Sequence, residues 1–332
     1  MSDRTPNDLV LLQSLPLSIK LEMTQSRIRD WVNFYSVNGV YISFSGGKDS
    51  TVLVDIINKM GGEYNDIPLV YVDTGLEVPE NREFVKSYGD RVTWIKPKMN
   101  FKQVVEKYGY PFFSKENAQY IYECRRTNSE KVYNKRMGKE GYRGAIPQRF
   151  RFCITNNPNN YEFSHMCCVV TKKRPARNYT KETGRVPITA QMACESRLRT
   201  QQWVRNGCNG FDLKIPTSNP MAFWTEQDIL LYIKLNNLPI SGAYGEILQE
   251  INSDLSIERI DNPILYTTKW KRTGCLYCMF GCQNKQDNRL ELIKEYYPKI
   301  YDYIMRPKEQ GGLNYKEIID WINSNSNLNI KY

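Results

Sequence analysis

Apolar positions recur along this chain in two registers. Between residues 7 and 36, Leu9, Leu12 and Leu15, then Ile28, Trp31, Val32 and Tyr35, fall at helical spacing, with Pro16 interrupting them. This predicts a helical extension packed on a larger domain. From Gly39 the pattern changes to short β-branched runs that alternate with helical ones. It predicts strands at Val40–Phe44, Pro68–Asp73 and Val92–Ile95, and helices at Ser50–Met60, Pro79–Tyr88 and Phe101–Tyr108. Such alternation implies parallel strands joined by right-handed crossovers, hence an α/β fold with a mainly parallel sheet. Ligands of such sheets sit at the carboxyl ends of the strands, where Ser45 and Asp73 both fall.

The pattern after residue 110 is less regular. Glu116–Met137 reads as one helix with a basic flank, Arg125, Arg126, Lys131, Lys135 and Arg136: a solvated face or a nucleic-acid contact. Arg143, Arg149 and Arg151 interleave with Tyr142, Phe150 and Phe152, a mixture that suits nucleotide or RNA contacts. Pro187–Ala190 is a further candidate strand. Thr225-Glu-Gln-Asp228 reads as a capping box opening a helix. Helices are expected near Asp287–Ile304 and Tyr315–Ile322. The expected division is a helical extension at 1–37, a domain at 38–283 and a second helical extension at 284–332.

Composition narrows the function classes. The 332 residues are 41% hydrophobic and 25% charged, ordinary for a soluble globular protein. No run approaches the roughly 18 apolar residues of a membrane span, so no membrane contact is expected. The start, Met1-Ser-Asp-Arg-Thr-Pro, lacks a signal-peptide core, and a cytoplasmic location is expected. The net charge of +10 favours a polyanionic partner, or only a bound nucleotide. The single histidine, His165, excludes His-based metal sites and Ser-His-Asp chemistry. Nine cysteines in a cytosolic chain point to metal or redox chemistry before disulfides.

The strongest motif is Ser45-Gly46-Gly47-Lys48-Asp49-Ser50, between the first strand and the first helix. Strand, glycine turn and helix aim backbone N–H groups and a helix dipole at an anion. Gly46 and Gly47 remove the Cβ atoms that would block a phosphate, Ser45 and Ser50 offer hydroxyls, and Lys48 adds a point charge. The spacing is not that of a Walker A loop, since Asp49 follows the lysine and no earlier glycine stands at the required distance. An ordinary glycine-rich turn is the plain alternative.

This loop resembles the PP-loop of N-type ATP pyrophosphatases and, more narrowly, of the phosphoadenylyl-sulfate (PAPS) reductase family. Asp73-Thr74-Gly75, followed by Pro79-Glu80, is similar to that family's Asp-Thr-Gly and Pro-Glu. Glu195, Ser196 and Arg199 match its Gly-x-Arg-x-x-Glu-Ser-x-x-Arg stretch, although Ala190 and Met192 replace its Gly and Arg. Trp224, Asp228 and Leu238-Pro239 resemble a later one. The likeness implies a PP-loop domain with helical extensions. It implies that Ser45, Gly46, Gly47, Lys48, Asp49 and Ser50 hold pyrophosphate of ATP with Mg²⁺. Asp73, Thr74 and Gly75 would border the adenosine, with Glu195 and Ser196 also in the pocket. Arg199 would stabilise transition-state charge, with Lys48 and Asp49 as its catalytic companions.

Cys167-Cys168 and Cys275-Leu-Tyr-Cys278 form a thiol set suited to a [4Fe–4S] cluster or to tetrahedral zinc. The arrangement is similar to the cluster signature of adenylyl-sulfate (APS) reductases, which follow Cys-Cys with a basic pair and proline. Here Lys172-Lys173 and Pro175 depart from that spacing by about one residue. Cys282 would replace a ligand, stand beside the cluster or be a buried small side chain. Cys124, Cys153, Cys194 and Cys208 read as structural. Sulfonucleotide reductases use a tail cysteine, whereas no cysteine or histidine follows Cys282 here.

The expected function is therefore ATP α/β cleavage that adenylates an acceptor for sulfur insertion, as in tRNA thiolation or DNA phosphorothioation. A DNA or tRNA substrate, a sulfur-donor protein and a homo-oligomer are the expected partners. An APS/PAPS reductase using Cys282 is the first alternative. A nucleotide-bound Fe–S sensor or assembly subunit is the second.

Overall fold

A computed structural model of the chain describes residues 4–139, 141, 143–250, 264–284 and 286–332. Tyr142 of the basic–aromatic run and the first three residues lie outside the described residues. The chain packs as two compact units. One comprises Met1–Asp73, Glu77–Lys96 and Ala176–Thr273, the other Thr74–Leu76, Pro97–Pro175 and Gly274–Tyr332. The stretch 38–283, expected as one domain, contributes to both.

The first unit is built on a six-stranded sheet. Its strands run in the order Val92–Ile95, Leu69–Val72, Val40–Ser43, Val186–Ile188, Thr217–Ser218 and Asn209–Gly210. All neighbours pair in parallel except the last strand, which is antiparallel at the edge. The fold is thus α/β with a mainly parallel sheet. Alternation along the central strand explains its two faces. Val40 and Ile42 enter the main core with Trp31, Trp224 and the helix Lys48–Met60, while Tyr41 joins Val70 and Tyr179 on the other face.

The N-terminal stretch is two helices, Pro6–Gln13 and Leu17–Tyr35, separated at Pro16 as the sequence predicts. The second is tied in by polar contacts. Trp224 Nε1 donates to Thr24 Oγ1 at 2.9 Å, and the Lys20 ammonium, 1% exposed, pairs with Asp228 at 2.7 Å. Asp228 also closes the Thr225 capping box at the start of the helix Glu226–Leu235. Trp224 and Asp228, part of the family resemblance, therefore dock a helix.

The second unit has little sheet, and its central feature is the aromatic run Tyr110–Phe113. Phe112–Phe113 pairs in parallel with Met279–Phe280. On the other side Tyr110 N–H donates to the Glu162 carbonyl at 2.7 Å, and Ser164 N–H to the Tyr110 carbonyl at 3.0 Å. The expected single helix Glu116–Met137 is two, Lys115–Arg126 and Glu130–Met137, because Ser129 caps the second. Pro298 likewise opens a new helix, Pro298–Met305, after Arg289–Tyr296. After Cys167-Cys168 the backbone forms a π-helical turn, Val169–Lys173. Such a turn accommodates one extra residue in a helix, which matches the one-residue departure in spacing before Pro175.

Candidate functional site

The loop Ser45–Ser50 lies wholly in the first unit. Its helix starts at Lys48, earlier than the apolar pattern indicates, because Thr51 N–H and the Ser50 and Thr51 hydroxyls all donate to the Gly47 carbonyl at 2.9–3.0 Å. Gly46 has φ +70°, and a Cβ there would stand 2.6 Å from Val85 Cγ2 and 2.9 Å from the Asn81 carbonyl oxygen. Only glycine fits that turn. Ser45 and Ser50 clasp the loop from inside. Ser45 N–H donates to Ser50 Oγ at 3.2 Å, the hydroxyls are 3.0 Å apart, and Gly47 N–H donates to Ser45 Oγ at 3.3 Å.

A second layer covers the helix start. Lys48 N–H donates to the Tyr244 hydroxyl at 3.0 Å, which lies 2.8 Å from Thr273 Oγ1; Asn81 Nδ2 donates to that same oxygen at 2.8 Å. Burial pushes the Tyr244 phenol up to about 12, so it stays protonated. Lys48 is buried: its ammonium donates to the Lys271 carbonyl at 2.7 Å, pairs with Glu226 at 3.3 Å and lies 5.1 Å from the Tyr244 ring centre. Glu195 is held by both Arg199 and Arg272. Ser196 Oγ accepts from Arg199 N–H at 3.4 Å and caps the helix Arg197–Asn206.

Asp49 completes this cluster. The residue is partly exposed, yet its Oδ1 is shut off from solvent and has no hydrogen-bond partner among the described residues. Burial pushes its carboxyl up, Glu226 adds to this, and Lys48, Arg272 and Arg199 oppose it. Arg199 is held below the usual arginine value by burial and then by Arg272, with Asp49 opposing. An orphaned carboxylate oxygen among phosphate-compatible cations fits a bound cation. Asp49→Ala is therefore expected to raise the melting temperature of the nucleotide-free protein, by about 1 kcal/mol of stability at neutral pH. A raised acid in the folded state means stability that is full at low pH and lost as pH rises through the folded value. The variant's advantage should accordingly vanish on acidification; a pH series of thermal melts checks it.

Asp73, at the end of its strand, is buried and gripped by Arg82, with Nη2 at 3.0 Å and Nε at 3.3 Å from its oxygens. Thr74 and Gly75 belong to the second unit, where Thr74 Oγ1 accepts from Leu76 N–H at 3.2 Å and Gly75 has φ +69°. The sequence alone assigns no site role to Tyr244, Lys271, Thr273 or Arg82; the nearest signal is Arg272-Thr273-Gly274, directly before Cys275, which resembles the family's approach to its Gly-Cys.

The four cysteines lie in the second unit, brought together by Tyr110–Phe113. That run bonds Glu162–Ser164, just before Cys167, on one side and Met279–Gly281, just after Cys278, on the other. Burial pushes the Cys167 thiol up, and Cys168, Cys275 and Cys278 push it further. Cys278 is raised by burial, with Arg289 opposing and Cys168 adding. Arg289 also donates to the Cys278 carbonyl, and Tyr315 OH to the Tyr277 carbonyl at 2.6 Å, pinning the loop. Neither Arg289 nor Tyr315 was singled out from sequence. The donor set, four thiols that feel one another, suits a thiolate-bound metal or cluster in kind. Among the described residues, no group of three or more His, Cys, Asp and Glu is arranged to hold a metal ion. Cys282 is 7% exposed, and burial pushes its thiol up to about 12. Among the described residues no helix is long and apolar enough to cross a membrane.

Comparison with known proteins follows the loop. The uncharacterized protein MJ0973 of Methanocaldococcus jannaschii is 37% identical over 290 residues, 86% of this chain and 50% of that protein. A second uncharacterized protein of that organism, MJ0066, is 38% identical over 76 residues, 22% of this chain and 15% of the other. The chain thus spans about half the length of the first relative and less of the second. The crystal structure of a phosphoadenylyl-sulfate (PAPS) reductase from Candida auris, in a phosphate complex, covers 66% of this chain and 82% of its own at 17% identity, with a TM-score of 0.37. Residues 39–144, from the first strand past the nucleotide loop, match the sequence model of the phosphoadenosine phosphosulfate reductase domain. Over residues 39–144 this chain is thus similar to the phosphoadenosine phosphosulfate reductase domain.

Proposed function

We propose that this chain is an enzyme of nucleotide-linked sulfur chemistry that cleaves ATP between its α and β phosphates and adenylates an acceptor oxygen. The observation that carries the reading is the Gly46–Gly47 loop at the start of the helix Lys48–Met60, with a buried lysine and a cluster of arginines around it. The acceptor oxygen attacks the α phosphorus, the bridge to the β phosphate breaks, and pyrophosphate leaves. The Gly46, Asp49 and Ser50 N–H groups at the helix start and the Lys48 ammonium would hold the departing pyrophosphate, and Arg199 and Arg272 would face the charge that builds up. For Lys48 to reach a phosphate it exchanges Glu226 for it, and Glu226 keeps Lys271 at 3.6 Å as a partner. Asp49 would hold Mg²⁺, which supplies charge neutralisation of the phosphates. A sulfur nucleophile then displaces AMP from the activated acceptor.

Cys167, Cys168, Cys275 and Cys278 would hold a [4Fe–4S] cluster, or zinc; a cluster supplies a sulfur-handling or bracing centre. A sulfonucleotide reductase with Cys282 as nucleophile is disfavoured by that thiol's burial and raised pKa, since the thiolate is the attacking form. The test is pyrophosphate release from ATP. Lys48→Ala is expected to lower it about ten- to a hundredfold, as for loss of one charged hydrogen bond, while circular dichroism stays unchanged. Unchanged release in Lys48→Ala, or thioredoxin-dependent sulfite release from APS or PAPS that Cys282→Ser abolishes, would overturn the reading.

A further inference from the structure

The net positive charge of this protein comes from one stretch. Residues 97–175 carry 16 Lys and Arg against 6 Asp and Glu, and the rest of the chain carries 30 of each. All of that stretch lies in the second unit. Its arginines divide by role. Arg136 grips Glu123 at 2.9 Å and 2.5 Å and donates to the Gly144 carbonyl, Arg126 pairs with Glu162 at 2.5 Å, and Arg125 donates to the Cys153 carbonyl at 3.1 Å. These contacts build the fold and use up two of the six acids.

Among the exposed cations that remain are Lys131, Lys135, Lys139, Arg143 and Arg149. None forms an ion pair with another described residue. Lys131 and Lys135 stand one helical step apart on Glu130–Met137, and Lys139 follows just past its left-handed cap at Gly138. Like charges at that spacing repel and cost helix stability. Arg136 binds the 144–146 segment back to this helix, with Ile146 N–H donating to the Arg136 carbonyl at 2.7 Å, so the loop carrying Arg143 is fastened beside the lysines.

Phe150 and Phe152, two of the interleaved aromatics, offer no stacking platform. Phe150 is fully buried beneath Arg149, and Phe152 packs on Trp321 at 5.0 Å. With both phenylalanines packed away, the described part of the interleaved run presents its cations, which contact phosphates and not bases. Nor is there an apolar companion face for a membrane: among the described residues, none of the exposed large hydrophobic side chains lies between 97 and 175.

We propose that the face built by Lys131, Lys135, Lys139 and Arg143 binds the phosphate backbone of a nucleic acid without reading its sequence. This names the acceptor's class for the activity proposed above and rests on that reading only there. The surface itself is argued from charge and geometry. The test is fluorescence anisotropy of the full chain with short labelled single-stranded RNA and DNA of mixed sequence, across a salt series and without ATP. The triple variant Lys131→Gln, Lys135→Gln, Lys139→Gln is expected to bind about tenfold more weakly. Its salt slope on single strands should fall by about 2, at ~0.7 per phosphate neutralised. A matched variant of exposed cations in the first unit, Arg29→Gln, Arg205→Gln, Lys214→Gln, should bind like the parent. The proposal is overturned if the parent shows no salt-dependent binding or if the triple variant keeps its affinity and slope. It also fails if anionic vesicles are bound and nucleic acid is not. Absence of pyrophosphate release would sink the catalytic reading and leave this binding untouched, so the two failures are distinguishable.

Discussion

Lys20→Met is expected to destabilise the first unit by about 3–5 kcal/mol, the cost of leaving a buried charge without its partner. The Lys20 ammonium donates to both Asp228 oxygens, at 2.9 Å and 2.7 Å, and to the Gln13 carbonyl at 2.6 Å. Methionine keeps the length of the stem and removes the charge. The Asp228 carboxylate keeps the Thr225 N–H at 2.7 Å and the Thr225 hydroxyl at 2.8 Å, which cap its helix but do not neutralise it. Adding Asp228→Ser, which retains a capping oxygen and removes the stranded charge, should recover much of the loss. Denaturant unfolding followed by tryptophan fluorescence checks both, because Trp224 and Trp31 lie in this core. A loss under about 1 kcal/mol in the single variant would mean that water reaches Asp228 and that the pair is a surface one.

The second large effect concerns the thiols. Protein purified without oxygen is expected to contain iron and labile sulfide, and Cys275→Ser to lose both. Cys208→Ser, whose buried thiol sits in the core of the first unit, should lose neither. The physical reason is electrostatic: burial and the neighbouring thiols keep Cys167 and Cys278 protonated, and a metal centre is what lets the set ionise together as ligands. Arg289→Ala should loosen the Cys275–Cys278 loop and weaken iron retention without removing a ligand, because Arg289 holds the Cys278 carbonyl. One zinc and no labile sulfide per chain would make the centre structural and remove sulfur delivery from the proposed chemistry.

The sheet, its parallel strands and the loop at Ser45–Ser50 were legible because each rests on local pattern: β-branched runs, a glycine pair and a helical period. Helix breaks were less so. Thr127–Ser129 reads as helix by periodicity, and only the capping by Ser129 ends one helix and starts another. Tyr244 and Thr273 could not be found from spacing, since Tyr244 reaches Lys48 from 196 residues away in sequence and Thr273 reaches Asn81 from 192. Their importance is a matter of tertiary contact, as is that of Tyr110–Phe113, an ordinary aromatic run until it is seen bonded on both sides. Ser196 shows the reverse case. A residue taken from the family motif for the nucleotide pocket makes, as its recorded contact here, a helix cap.

The interleaving of the two units along the chain sets an order of events during synthesis. The first unit receives its last segment at Ala176–Thr273, and the second waits for Gly274–Tyr332. Cys167 and Cys168 therefore emerge about a hundred residues before Cys275. At ~5–20 residues per second that is roughly 5–20 s during which the first thiol pair has neither its partner pair nor the Arg289 and Tyr315 contacts that bury the site. The nascent chain thus passes through an interval in which one dithiol is exposed to oxidants and to metal donors while the first unit is still being completed. Translation speed across residues 169–275, and the redox state of the compartment in that interval, become determinants of how much of the protein matures with its thiols intact.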